Sequence, residues 1–142
     1  MSTQYEIPKG RTKEIFEARE KIINDFFENW LSVNPEKRIY NASLQEFIYL
    51  DYFPFRETAR QSARHYKTAL ALISLTELLE LAKATIWSAA PKSEAPPVPF
   101  INRITMPYEK PRFGQISLTV GDVATKDNKR KFYLTAIASS NN

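Results

Sequence analysis

Between Thr12 and Val33 the apolar residues Ile15, Ile22, Ile23, Phe26, Phe27, Trp30 and Leu31 recur at the three- and four-residue steps of one helical face, with charged residues between them. The spacing predicts a long amphipathic helix. Asn34-Pro35 stops it, because the residue before a proline is pushed out of the helical region. A face so aromatic must be buried, against either the rest of the chain or a partner. Residues 36–55 carry a mixed pattern. Ile39-Tyr40 suits a short extended piece, whereas Asn41 and the Ser43-x-x-Glu46 spacing have the form of a helix start, and the balance favours a short helix. The dense aromatics Phe47, Tyr49, Tyr52, Phe53 and Phe55 are expected to pack over the core, and Pro54 marks the break before the next element.

From Phe55 to Ile73 the face Ala59, Ala63, Tyr66, Leu70 and Ile73 predicts a second long helix. Ser74, with Glu77 three residues later, reads as a capping box opening a third helix over Leu75 to Lys83, so the two form a helix hairpin. The period then shortens to two. Thr85 to Ala89 is β-prone, Pro91 to Pro99 holds four of the nine prolines and reads as a loop, and three further strands are predicted over Phe100–Tyr108, Gln115–Val123 and Arg130–Ile137. Ile116, Leu118 and Val120 alternate with Gln115, Ser117 and Thr119. Phe132, Leu134 and Ala136 alternate with Lys131, Tyr133 and Thr135, and Lys126 to Lys129 forms the turn between these strands. The expected class is α+β: N-terminal helices over 1–84, then a four-stranded antiparallel meander over 85–138 with one buried and one polar face, in a single domain spanning 1–142.

Composition narrows what such a fold could do. With 142 residues, 43% of them hydrophobic, the chain has the material for one globular core. No cysteine is present and histidine occurs once, which removes thiolate and multi-histidine metal sites, and no cofactor is expected. The lack of cysteine and of an apolar run of about 20 residues points to a cytoplasmic protein with neither a membrane segment nor a secretory signal. Net charge is +4, distributed unevenly: residues 1–85 hold 12 Lys+Arg and 12 Asp+Glu, residues 86–142 hold 8 and 4. All of the excess lies in the C-terminal part, which suits a polyanion such as RNA as partner.

No phosphate-cradling, dinucleotide-binding, nucleophile-elbow or zinc-protease signature occurs, and three glycines are too few for most such loops. His65 is the one histidine, the side-chain type best suited to proton transfer near neutral pH. On a continuous helix Arg56, Arg60, Arg64 and Lys67 form a stripe within about 80° of each other, with His65 at about 180°. Histidine and stripe would flank opposite sides of the buried face. The stripe, Arg60, Arg64 and Lys67 above all, suits phosphate contact. On the polar sheet face, Ser117, Thr119, Lys131, Tyr133 and Thr135 gather hydroxyl, cationic and aromatic groups on a rigid scaffold. Pro96-Pro97-Val98-Pro99 lacks the flanks of a proline-domain ligand and reads as a linker.

The order of parts, a helix hairpin followed by a meander with Leu118-Thr119-Val120 and Tyr133-Leu134-Thr135-Ala136-Ile137 in its last strands, resembles the barnase, endoribonuclease-U, RelE-like nuclease superfamily, especially its phage-associated branches. It is similar also to small uncharacterised proteins of bacterial mobile elements. The nuclease resemblance covers roughly residues 56 to 138. It implies metal-independent cleavage of RNA through its own 2′-hydroxyl, with His65 as general acid or base, Arg103, Arg130 or Lys131 neutralising the phosphorane, and Thr119 or Thr135 orienting the phosphate. Members usually carry a second acid-base group that this chain lacks, so the resemblance also admits a binding-only derivative and leaves enzymatic activity open. Two functions are therefore expected: an accessory interaction protein of a mobile element, binding a protein partner through its aromatic N-terminal helix, or an RNA-binding or ribonuclease-like protein.

Overall fold

The computed structural model describes residues 5–89, 100–127 and 129–139; the proline-rich stretch expected to be a loop, and Asn128 of the expected turn at 126–129, lie outside them. The long first helix, α1 (Lys13–Val33), forms as the pattern predicts. Thr12 caps it, its hydroxyl oxygen accepting from the Ile15 amide at 3.2 Å, and at the other end the amide and side chain of Asn34 both donate to the Trp30 carbonyl. Ile23, Phe27 and Trp30 are buried, and the Trp30 indole N–H donates to the Thr76 hydroxyl at 2.9 Å. Much of the apolar face of α1 is thus packed on the chain's own core, with Ile22, Phe26 and Leu31 partly buried along it.

The short helix expected after Pro35 is instead a hairpin, β1 (Arg38–Asn41) and β2 (Glu46–Tyr49), in antiparallel register. Alternation wins here over capping chemistry: Ile39 and Ile48 point to the core, while Tyr40, Phe47 and Tyr49 point away from it. Asn41 is not a helix cap but the hinge pin of the turn. Fully buried, it accepts from the Leu44 amide at 2.7 Å and donates to the Leu79 and Ala82 carbonyls at 2.8 and 2.9 Å. Gln45 closes the turn in the left-handed region, φ 55°.

The helix expected over Phe55–Ile73 is broken into α2 (Phe55–Ser62) and α3 (Tyr66–Leu72), with His65 in extended conformation between them. A buried guanidinium accounts for the break. Arg19 of α1 donates to the Ala63 carbonyl at 3.1 Å, taking an acceptor that a continuous helix would use itself. α4 (Leu75–Leu81) follows, but no capping box forms. Ser74 donates to the Leu70 carbonyl, and Glu77 turns instead to Tyr108 and Arg112.

β3 (Ile86–Ala89), β4 (Asn102–Lys110), β5 (Gly114–Ala124) and β6 (Arg130–Ser139) form the expected meander, yet the sheet is larger and mixed. Its order is β1-β2-β6-β5-β4-β3, because β2 adds to β6 in parallel through Ile48–Phe132 and Tyr49–Tyr133. The chain is therefore α+β, with four helices and six strands among the described residues rather than four antiparallel strands. Ile104, Met106, Ile116, Leu118, Val120 and Leu134 face the helices and are fully or almost fully buried with Leu72, Leu75, Leu78 and Leu79. A bulge corrects the simple alternation of the last strand. Register shifts between Thr119 and Val120, which pair with Ala136 and Leu134, so Thr135 is unpaired, Ala136 is exposed and Ile137 buried.

Helices and sheet are clamped where the Tyr108 hydroxyl donates to Glu77 at 2.7 Å and Arg112 donates to both Glu77 and Ser74. Burial and the Glu77 hydrogen bond push the Tyr108 phenol up to about 12. The Tyr108 hydrogen bond, aided by Arg112 and opposed by burial, holds the Glu77 carboxyl below its ordinary range. Above pH 10 the unfolded chain loses the phenol proton while the folded chain keeps it, so stability falls from pH 10 to about 12. On the acid side the carboxylate stabilises the fold above 4.5, and that contribution is lost as pH falls below it. Subtracting the urea-unfolding stability of Tyr108→Phe from that of the wild type should leave a difference that shrinks at both ends of the pH range; a flat difference would show that the clamp contributes nothing. Asn41→Ala, which strips the α4 carbonyls of their side-chain donor, should cost about 1–3 kcal/mol in the same assay. Unchanged stability would remove Asn41 from its role in the fold.

Candidate functional site

The face of the sheet turned away from the helices, expected to mix hydroxyl, cationic and aromatic groups, collects more rings than β5 and β6 alone supply. Tyr40 of β1 meets Phe47 of β2 at 5.5 Å between centroids, Phe47 meets Tyr49 at 6.5 Å, and Tyr49 meets Tyr133 of β6 at 5.8 Å. Tyr52, from the β2–α2 connection, packs on Tyr133 at 4.9 Å, and Phe100, just before β4, approaches it at 6.3 Å. Six rings thus form one continuous tract across β1, β2, β6 and, through Phe100, β5. Glycine is required beneath the last ring: a Cβ on Gly121 would lie 2.5 Å from Phe100, so only a bare backbone lets that ring lie on the strand.

Two cations are laid into the tract. The Arg38 guanidinium sits over Phe47 at 4.0 Å and donates to the Tyr49 hydroxyl at 3.2 Å, and Glu36 pairs with it at 2.7 Å. The bond to Tyr49 favours the charged form of Arg38, opposed by partial burial and aided by Glu36. The Lys131 ammonium lies over Tyr49 at 4.2 Å and near Tyr133 at 5.5 Å. These contacts hold the cations beside the rings, where they offer charge to anything that lies on the tract. Tyr133 is itself mostly covered, whereas Tyr40 and Tyr52 are 49% and 37% exposed. Tyr133 is the floor, and Tyr40 and Tyr52 are the rings most open to solvent.

The residues that the sequence nominated for chemistry are split between distant places. His65 lines a pocket with Arg64, Lys67 and Ser139, the last residue of β6, so the broken helix puts histidine and cations on one site where a continuous helix would separate them. Arg60 lies beside it in a shallow hollow shared with Arg64, within 3.7 Å of Glu57. Arg130 begins β6, and nine residues of strand place it about 30 Å from Ser139 at roughly 3.3 Å per residue. It is engaged at 2.5 Å with Asp122, a fully buried carboxylate that also accepts from the Asn102 amide at 2.8 Å. Lys131 follows Arg130, and Arg103 sits on β4 opposite Gly121. Thr135 donates to the Thr119 carbonyl at 3.1 Å, holding the bulge.

Proton transfer needs groups within hydrogen-bond reach of one reacting centre. His65 lies at one end of β6 and Arg130 and Lys131 at the other, so the structure does not bring the nominated catalytic set together. What it does assemble around Lys131 and Tyr133 is the aromatic tract, three of whose six members, Phe47, Tyr49 and Tyr52, the sequence pattern places over the core. Phe53 and Phe55 do enter the core against Phe27, at 6.2 and 5.0 Å, but Phe47, Tyr49 and Tyr52 go to the open face. The signal was the two-residue spacing of Phe47 and Tyr49 around the apolar Ile48. Among the described residues no group of three or more acidic or histidine side chains is placed to hold a metal, and no helix is long and apolar enough to cross a membrane. Compared with protein-family models, curated proteins and solved structures, the chain gives no match.

Proposed function

We propose that this chain is a non-enzymatic binding module that holds single-stranded RNA on the open face of its sheet. The observation that carries the reading is the continuous tract of Tyr40, Phe47, Tyr49, Tyr52, Phe100 and Tyr133 with Arg38 and Lys131 set into it. Unpaired bases are flat and apolar on their faces and carry a phosphate per nucleotide. Rings on a rigid strand scaffold stack the former, and interleaved cations meet the latter. A sheet face evolved only for solubility would carry charged and hydroxyl groups in place of partly exposed tyrosines. Stacking accepts any base, so the expected binding is broad in sequence and confined to unpaired strands. The separation of His65 from Arg130 and Lys131 supports binding without cleavage.

Fluorescence anisotropy with mixed-sequence single-stranded RNA in EDTA tests the reading. The wild type should bind with an affinity that falls as salt rises, and the RNA should remain intact. Tyr40→Ala and Tyr52→Ala remove exposed rings without opening the core, and each should weaken binding by about 1–3 kcal/mol. Lys131→Gln should weaken it for all sequences and lower the salt slope by about 1. Absence of salt-sensitive binding would overturn the proposal and direct the search for a partner to proteins. Cleavage that disappears in His65→Ala would replace it with a nuclease.

A further inference from the structure

At the far end of β6, on the helical side, lies a pocket of about 470 Å³, within the usual size of a small-molecule site. Lys9, Arg11, Arg19, Arg64, His65 and Lys67 line it, and no carboxylate does so among the described residues. Five obligate cations around one concavity repel one another, and a fold selected for stability alone would place an acid among them. The deepest of them is the least conventional. Arg19 is 1% exposed, and none of the carboxylates of the described residues pairs with it. Its guanidinium is fixed by three backbone carbonyls: Pro8 at 2.8 Å, Gly10 at 2.6 Å and Ala63 at 3.1 Å. Those dipoles orient the group and satisfy donors, but they leave its formal charge unneutralised. Burial accordingly weakens its hold on the proton.

From this geometry we infer that the pocket is a binding site for a phosphoryl group, carried by a small phosphorylated molecule or by the phosphorylated end of a nucleic acid strand. Guanidinium forks and lysine ammonium groups match the oxygens of a phosphate. The hydroxyl-bearing Thr68 belongs to the same lining. The larger of the two rings in the lining, Tyr66, is already engaged by Lys9 at 5.3 Å and Arg19 at 5.9 Å, so the site offers charge more than a stacking surface. It therefore recognises the phosphate and not a base. The backbone break at Ala63 to His65, imposed by Arg19, is what turns Arg64, His65 and Lys67 toward the same concavity as Lys9 and Arg11. This site stands independently of the aromatic sheet face.

Isothermal titration calorimetry with inorganic pyrophosphate, at ionic strength matched with potassium chloride, reads the site directly. The wild type should bind saturably, and Arg64→Gln/Lys67→Gln, which alters two exposed side chains, should weaken binding by at least about tenfold. Arg56→Gln, which removes a positive charge from α2 outside the pocket, should leave it unchanged. A single-stranded oligonucleotide with a 5′-phosphate, compared with its 5′-hydroxyl twin, separates the two sources. A preference for the phosphate that vanishes in the double variant assigns the site to a strand end, and equal binding of the twins alongside saturable pyrophosphate binding assigns it to a free phosphorylated molecule. No saturable pyrophosphate binding by the wild type, or equal loss in Arg56→Gln, would overturn the inference whatever the sheet face does with RNA.

Discussion

The helices of this chain, α1 to α4, are enough to cover one side of a six-stranded sheet and not the other, and this one-sided cover governs the remaining features. On the covered side the physics is ordinary: branched and aliphatic side chains from β4, β5 and β6 interlock with leucines of α3 and α4, and each large apolar residue so buried contributes about 1.5–3 kcal/mol. On the open side the same strands must present every second residue to solvent. A sheet that only had to remain dissolved would fill those positions with hydroxyls and charges. Here the strands nearest β1 fill them with tyrosine and phenylalanine, and the aromatic surface follows from the pleat rather than from a pocket.

Buried polar groups then fix where the elements meet. Asn41 ties the β1–β2 turn to the last carbonyls of α4, which lack partners within their own helix. Asp122, drawn fully inside the sheet, is held by the Asn102 amide and by Arg130, so Arg130 is engaged in keeping a buried carboxylate paired. Arg19 anchors the segment before α1 and interrupts the helix that follows Pro54. Each of these groups would be costly if left unmatched, and each is matched by groups outside its own helix or strand. They specify the arrangement of a core whose apolar contacts alone would tolerate sliding.

The two surfaces assigned here have different physical characters. The aromatic tract is broad, open and only lightly cationic, suited to a flexible strand that gains from stacking one base after another. The basic pocket is concave and lined by charge with its tyrosine ring already covered, suited to a compact anion. They lie toward opposite ends of β6, separated by the bulge at Thr135. No side chain belongs to both.

Local patterning determined the first helix, the helical character of Phe55–Leu72 and Leu75–Leu81, and the strands after Thr85, because in each the period of apolar residues and the propensity of the chain agree. The charge excess of the C-terminal part and the outward phase of Lys131 and Tyr133 in their strand were legible on the same ground. Three decisions belonged to the tertiary structure. Residues 38–49 became a hairpin because pairing with β6 rewards alternation more than isolated capping signals reward a short helix. The helix from Phe55 broke because a guanidinium 44 residues earlier in the chain took the Ala63 carbonyl. Phe47, Tyr49 and Tyr52 reached the open face because parallel pairing of Tyr49 with Tyr133 set the phase of β2. Sequence periodicity reports which residues share a face, whereas which face is covered depends on contacts between segments that no local window contains.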